Sequence, residues 1–558
     1  MKIPENLRIL SPLFGLFIYW IFVISGINLS FPIQVIPDET TQLLNIYGMI
    51  NSGTLKLPYE SYYSAWVHYS FLPFTLLYWG FEYFMIGMPS LAMFKTHVAA
   101  NYIDVLPFLR SISSFLFLFS AWLVSKVIAD RWGQKVGNLF LCFLVLDLLL
   151  FINLHYSKHW IIDFAWVFLS IYLYWTYLKN RLNLFLILSG ISFCFAIFSS
   201  HPLIFAGFYH FYLLISNKGT KKDLFKDICV TLVIVIIAFI LTIWLGPGKI
   251  LSEIIYSGSS SQIHMSISFT VLGDFLLALF DYNFILTTFF VFSLLYMILK
   301  RDFEIFLLLI PFISYLLLIA TYHFEPRYGL FLVISMSLIS AITISKVNRR
   351  ATFNVLLGLL VVINLSLLLS WHLTIVEKDT RIMTLEWLKK NTSNNSFVIY
   401  NTLGFNYDPL STKGIKFIDN NFPNAIGTRE KLHLSLGLPD GINGIILRKI
   451  EEGRHKGPKL IRRLVESGYE PILTNERFGF DAYFHQPAPT TYHSILKNCS
   501  YTIEATFLPY KKIPDNFEKY GDILYNFSSV IKSLIIFDRP GPIMTIYKFN
   551  KDQPTTCS

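Results

Sequence analysis

Charge is what this chain has least of. Of its 558 residues, 15% are Asp, Glu, Lys or Arg, against about 25% in an ordinary soluble chain. With 54% of residues hydrophobic and 17% aromatic, there are too few charges to cover a water-soluble globule, and that class is excluded. Cysteine is scarce as well. None of the five forms a CxxC pair or shows metal-ligand spacing, so the sequence offers no thiolate zinc site and no dithiol redox motif. Cys142, Cys194 and Cys229 fall in or beside apolar runs, as small buried thiols do. Cys499 and Cys557 lie in the polar terminal region and are placed to pair if that region meets an oxidising compartment. Internal repeats and low-complexity tracts are missing. So is a small-residue cleavage site after the first apolar run: Lys2 and Arg8 precede a stretch from Ile9 to Leu29 that is too long for a signal-peptide core. It reads as a retained first span.

What is there is a series of apolar runs of bilayer length, near 9–30, 107–128, 137–154, 161–178, 183–199, 202–216, 228–247, 284–299, 303–322, 328–345 and 353–373. The chain is therefore a polytopic α-helical membrane protein. A further run, 69–87, holds Pro73, Glu82 and many aromatics, and the positive-inside rule decides its fate. If it crosses, then Lys126, Arg131 and Lys135, Lys179 with Arg181, Lys218 through Lys226, Lys300 with Arg301, and Lys346 with Arg349 and Arg350 all fall outside. If it lies in the interface or re-enters, every one of these clusters becomes cytoplasmic. The second arrangement is adopted: about eleven transmembrane helices, N-terminus cytoplasmic, C-terminal domain extracytoplasmic. The net charge of +10 is thereby explained by topology, and nucleic acid is not an expected partner.

That topology gathers the remaining boundary charges on the outer face: the pair Asp38-Glu39, the segment HYSKHWIID at 155–163, His201, the loop 248–282, HFEPRY at 323–328, and everything beyond 373. The expected division is a transmembrane domain over 1–373 and a soluble α/β domain over 374–558. In the latter, helices at 381–390 and KLIRRLVESG alternate with strands at FVIYN, EPILTN, YTIEATFLP and IMTIYKF.

Carboxylates at a bilayer boundary are costly without a partner or a task. Asp38-Glu39 follows Pro37 at the head of an amphipathic stretch, TTQLLNIYGMINSG, where an acid suits the start of a helix lying along the membrane surface. The plainer alternative is a capping Asp with a solvated neighbour. Asp163 lies one turn inside the span opening at Ile161, just after Lys158 and His159. Lys158 either snorkels to headgroups, paired with Asp163, or holds a phosphate. Arg110 opens its span on the outer side against the usual bias, and suits lipid phosphate or the phosphate of a lipid-linked substrate. His323, Glu325, Arg327 and Tyr328 crowd between two spans; Arg327 presents a planar fork suited to phosphate oxygens, which Glu325 can orient.

In this order and topology, an Asp-Glu pair after the first span, a second acid at the start of a later span and a PRY element opening a late one resemble the GT-C superfamily of polyprenyl-phosphate-dependent glycosyltransferases. The protein mannosyltransferase and aminoarabinose transferase-like group is the most similar in pattern. DTRIMTLEWLKKN at 379–391 and RPGPIMTIYKF at 539–549 add to the resemblance. His201 stands where relatives often carry Lys. The resemblance implies a GT-C-like fold and an enzyme that transfers a hexosyl or pentosyl group from a polyprenyl phosphate to a lipid, glycan or protein acceptor at the outer face, with inversion. Asp38 is then the general base, Glu39 positions the acceptor or holds Asp38, and Asp163 completes the acidic set. Arg110, Lys158 and Arg327 neutralise the departing phosphate, while His159, His201, His323, Glu325 and Tyr328 are candidate substrate contacts. No obligatory cofactor or metal is expected; a divalent cation bridging Asp38, Asp163 and the phosphate is an alternative source of the same charge. Membrane lipids and the lipid-linked sugar are the expected partners. Three rival classes are a polytopic transporter, which normally shows repeated halves and midplane charges, a polysaccharide polymerase or ligase, whose large loop normally lies between spans, and a non-catalytic receptor or scaffold, which would tolerate Asp38→Asn.

Overall fold

The computed structural model describes residues 5–29, 37–57, 65–216, 221–245, 269–320, 326–346, 350–391, 396–400, 443–446, most of 461–480, 499–508 and 538–549. The chain forms two compact units, one of Met1–Ile27 with Asp38–Leu369 and one that includes Ser370–Ser558.

The first unit is all helical. In chain order it runs α1 (Glu5–Ser25), α2 (Pro37–Ser52), α3 (Ala65–Ile86), α4 (Leu91–Asn101), α5 (Leu106–Trp132), α6 (Gln134–Val145), α7 (Leu148–Asn153), α8 (His159–Asn180), α9 (Asn183–Ser199), α10 (Gly207–Ser216), α11 (Lys221–Leu245), α12 (Phe269–Tyr282), α13 (Phe284–Lys300), α14 (Phe303–Ile319) and α15 (Leu330–Lys346), followed by α16 (Arg350–Val376). Short 3-10 turns occupy Tyr102–Val105, His201–Ala206 and Pro326–Gly329. Among the described residues, four helical runs are long and apolar enough to cross a membrane: Leu106–Trp132, His159–Asn180, Phe225–Trp244 and Leu357–Leu388. Most of the other apolar helices are shorter, and two of them have a local cause. The run read as one span over 137–154 is two helices, interrupted at Leu146 and Asp147, because the Asp147 carboxylate accepts from Leu150 N (2.8 Å) and caps α7 instead of continuing α6. Residues 269–282, read as part of an outer loop, form α12, and Asn283 alone separates it from α13.

Helices α5 and α8 lie side by side and run the same way. Near their starts, Arg110 meets the residues just before α8; near their ends, Asp130 pairs with Lys179 (2.5 Å) and accepts from the Trp175 indole (3.1 Å). The cationic end continues through Glu304, which accepts from Trp132 and Tyr212, and through Asp302, which pairs with Lys346 (2.6 Å). These charged contacts thus fall at the two ends of the bundle. The ambiguous run 69–87 belongs to α3, which keeps to one of those ends. Trp66 stacks on Phe198 (5.8 Å) and meets Phe195 edge-on (4.9 Å) near the end of α9, while Tyr78 lies 5.5 Å from Phe108 in the first turn of α5. A helix that meets the last turns of α9 and the first turn of α5 stays at the end where Arg110 sits.

In the second unit, α17 (Thr380–Asn391) precedes a five-stranded mixed sheet of β1 (Ser396–Tyr400), β2 (Asn443–Ile446), β3 (Glu470–Phe480), β4 (Tyr501–Phe507) and β5 (Gly541–Phe549), in the order β2-β1-β3-β5-β4. Strand β1 pairs parallel with β2 and β3, and β5 pairs antiparallel with β3 and β4. Ile472, Leu473, Met544 and Ile546 are buried in the sheet, and Thr380 N donates to Pro540 O (3.1 Å), tying α17 to the strand that follows. Cys499 is disulfide-bonded to a partner outside the described residues, whereas Cys142, Cys194 and Cys229 are free.

Candidate active site

The site is built on the starts of α2, α5 and α8, the end of α9 and the turn before α15. Glu39, in the first turn of α2, is buried, and so is Arg110 in the first turn of α5. Arg110 Nε donates to Glu39 Oε1 (3.0 Å) and Nη2 to Oε2 (2.7 Å), while Nη1 donates to Ile27 O (3.0 Å). The same Oε1 accepts from Ser157 N (2.7 Å) and Ser157 Oγ (3.0 Å). The guanidinium also lies 5.5 Å from the centre of the buried Tyr156 ring. A buried ion pair offsets its desolvation only when the remaining lone pairs and protons are also satisfied; here the backbone at Ile27 and Ser157 completes the set. The lock joins the end of α1, α2, α5 and the segment before α8, so the first turn of α2, which carries Asp38, is fixed in place. The Asp38 side chain lies outside the described residues.

Lys158 precedes α8 in an extended conformation and is buried, as is His159, whose ring lies 5.1 Å from Trp160. Trp160 in turn meets the Tyr328 ring at 5.4 Å, which brings the Pro326–Gly329 turn to the start of α8. One turn further along α8, Asp163 is wholly buried and its Oδ2 accepts from Ser200 Oγ (2.5 Å). Beneath it, the apolar side chains of Phe164, Phe168, Ile171, Phe331, Ile334 and Leu338 line a cavity in the bundle.

Of the residues singled out in the sequence, the structure brings Glu39, Arg110, Lys158, His159, Asp163 and Tyr328 to one end of the bundle, with Asp38 and Arg327 on backbone that belongs there. The Arg110 fork, which the sequence offered to a lipid phosphate, is engaged by Glu39 and Ile27 O, and Glu39 holds Arg110 and Ser157. His201 opens a 3-10 turn directly after Ser200, its side chain outside the described residues, as is that of Arg327; His323 and Glu325 lie outside them altogether. Sequence reasoning missed Ser157 as the donor to Glu39, Tyr156 beneath Arg110, and Ser200 as the donor to Asp163. A small hydroxyl beside a charged boundary residue was the signal available. Among the described residues no group of three His, Cys, Asp or Glu is arranged to hold a metal ion.

No protein-family model matches the chain, and no curated protein matches it. Among solved structures it is similar to ArnT from Cupriavidus metallidurans in the apo state, at 11% identity and a TM-score of 0.50, covering 89% of this chain and 96% of that one. ArnT from the same organism bound to undecaprenyl phosphate matches at 11% identity and a TM-score of 0.49, over 90% and 97% of the two chains. The Archaeoglobus fulgidus oligosaccharyltransferase in the apo form matches at 10% identity and 0.42, over 97% and 89%. At such identities the likeness speaks to architecture, and the apo ArnT match spans nearly the whole of both chains. This chain shares the fold of apo ArnT from Cupriavidus metallidurans, and its described residues include four helices long and apolar enough to cross a membrane.

Proposed function

We propose that the chain is a membrane glycosyltransferase that moves one sugar from a polyprenyl phosphate to a hydroxyl of a lipid, glycan or protein acceptor at the outer face of the membrane. The observation that carries the reading is the buried Glu39–Arg110–Ser157 lock. It spends a full bidentate ion pair on holding the turn that bears Asp38, beside Lys158 and Asp163, on a chain with the GT-C fold. So costly an arrangement at one end of a bundle is reasonable for a catalytic base and unnecessary for a helix cap, which any Ser, Thr or Asn supplies.

In the reaction, the Asp38 carboxylate takes the proton of the acceptor hydroxyl as its oxygen attacks the anomeric carbon from the face opposite the phosphate. The carbon–oxygen bond to the phosphate breaks with its electron pair, leaving the polyprenyl phosphate and an inverted glycoside. Positive charge grows on the sugar ring as negative charge grows on the phosphate, as in glycoside hydrolysis. Lys158 and Arg327 are the cations assigned to that phosphate charge; Arg110, already committed to Glu39, supports them indirectly by holding the segment before α8. A phosphate is a good leaving group, so no strong general acid is required. A divalent cation, where one is used, would add to the same charge through Asp38 and Asp163.

The outward placement of this end is supported by the basic clusters, which collect at the other end of the bundle. The test is chemical. Purified chain in detergent, given an extract of polyprenyl-phosphate-linked sugars and envelope acceptors, is expected to release undecaprenyl phosphate, and Asp38→Asn to release none. Transport would need sealed vesicles, so release in detergent separates the two readings, and equal release by the variant removes Asp38 from the base role. Mass spectrometry of envelope glycolipids and glycoproteins with and without the gene then identifies the acceptor.

A further inference from the structure

Two apolar spans are interrupted, and the interruptions meet. Asp147 stands between α6 and α7 and Asn283 between α12 and α13; both are buried, at 3% and 4% exposure. With its amide nitrogen turned toward Asp147, the orientation that satisfies its hydrogen bonds, Asn283 donates to both carboxylate oxygens, at 3.0 Å to Oδ1, and to Tyr282 O at 3.1 Å. Capping α7 needs no charge, since Asn or Ser would accept from Leu150 N equally well. A carboxylate inside an apolar bundle is expensive and is usually kept for function. What the second carboxyl oxygen adds here is a two-point hold on the other break.

The consequence appears within about one helical turn of each break. The pieces beyond the breaks, α7 and α12, both pack against the Pro326–Gly329 turn. Gly329 is wedged between them: a Cβ at that position would lie 3.1 Å from Leu149 Cδ2 of α7 and 3.1 Å from Leu279 Cδ1 of α12. Two residues on from Asp147 and four back from Asn283, these leucines are set by the joined breaks. The turn they grip carries Arg327 and Tyr328, and Tyr328 reaches the site through Trp160.

We infer that Asp147 and Asn283 are a positioning pair: by joining two helix breaks they set the slot that receives Gly329, and so fix the Pro326–Gly329 turn at the phosphate side of the site. The positioning is independent of the reaction; only the identity of what the turn meets rests on the proposed function.

The experiment uses the full chain in lipid nanodiscs, with three readouts: thermal midpoint, hydrogen exchange of the amides at 327–330, and binding of undecaprenyl phosphate. Asn283→Asp replaces the amide donor with a second acidic side chain facing Asp147. It is expected to lower the midpoint, to speed exchange in the turn by about tenfold and to weaken undecaprenyl phosphate binding by about tenfold, and the exchanged pair Asp147→Asn/Asn283→Asp to restore all three, as directly coupled sites do. Should Asn283→Asp not fold, Asn283→Ala removes the donor without adding charge and is expected to speed exchange in the same amides. Failure of the exchanged pair to restore the midpoint overturns the pairing. A lowered midpoint with wild-type exchange at 327–330 overturns the positioning role. Faster exchange with unchanged undecaprenyl phosphate binding supports the positioning pair and instead removes the carrier from this turn.

Discussion

Arg110 and Glu39, 71 residues apart in sequence, close on each other as a parallel two-bond pair with neither side chain exposed to solvent. Breaking such a pair from one side strands a charge and costs about 3–5 kcal/mol. Glu39→Ala and Arg110→Ala are both expected to lower the thermal midpoint in detergent sharply, and Arg110→Lys to do nearly as much harm because an ammonium cannot span both carboxylate oxygens. The double variant Glu39→Leu/Arg110→Met is expected to be more stable than either alanine variant, though not fully restored, since Ser157 N and Oγ lose their acceptor. Fluorescence-detected thermal unfolding of the four variants checks the order.

Under the proposed function, the same lock gives the two neighbouring acids different roles. Asp38→Asn is expected to reduce turnover by about two to four orders of magnitude, the usual contribution of a positioned base, with undecaprenyl phosphate affinity and thermal midpoint near wild type. Glu39→Gln removes the ion pair and releases the turn, so it is expected to change affinity, turnover and stability together. Measuring kcat, KM and midpoint for both variants distinguishes the base from the residue that seats it.

The helical character of the first unit was legible because apolar runs of bilayer length leave few alternatives, and α17, β1, β3, β4 and β5 fall where alternation and β-branched runs put them. The short β2 was missed, its four residues being too few to show a pattern. The break at Asp147 was also missed, as was the helix before Asn283, whose residues were read as part of an outer loop. A single polar residue such as Asp147 in an apolar run is compatible with an unbroken helix until its partner is known, and that partner, Asn283, lies on another helix pair. The acidic pair and the HYSKHWIID segment were visible as boundary charges that topology did not explain. Their wiring was not. Nothing local tells Glu39 to choose Arg110 over Asp38, or gives Asp163 a serine from the end of α9.

Asp163 and Ser200 supply a third test. Ser200 Oγ donates to a carboxylate oxygen of a residue with no solvent exposure, and loss of a buried partner leaves a cost of about 1–3 kcal/mol. Ser200→Ala is expected to lower the midpoint accordingly. Asp163→Asn keeps the shape and an acceptor for Ser200, and is expected to preserve the midpoint while lowering turnover. Retained turnover in Asp163→Asn would show that its charge has no part in the chemistry.

At the other end of the bundle, Asp302 ties the start of α14 to the end of α15. Partial burial alone would raise its carboxyl, but the Lys346 ammonium at 2.6 Å and the backbone N–H of Ile305 outweigh burial and hold it below the ordinary carboxylate value. A carboxyl depressed in the folded state contributes stability that is fully present above its unfolded value, and that contribution disappears as pH falls through the folded one. The group is partly exposed, so the effect is screened by salt. Wild type is therefore expected to unfold at a higher temperature than Asp302→Asn at neutral pH and low salt, with the gap narrowing in high salt and closing as the pH drops below the ordinary carboxylate range. Thermal midpoints of the two proteins across that pH range measure the gap. One that persisted unchanged into acid would mean that capping of α14 by Asp302, which an amide also performs less well, outweighs its charge on Lys346.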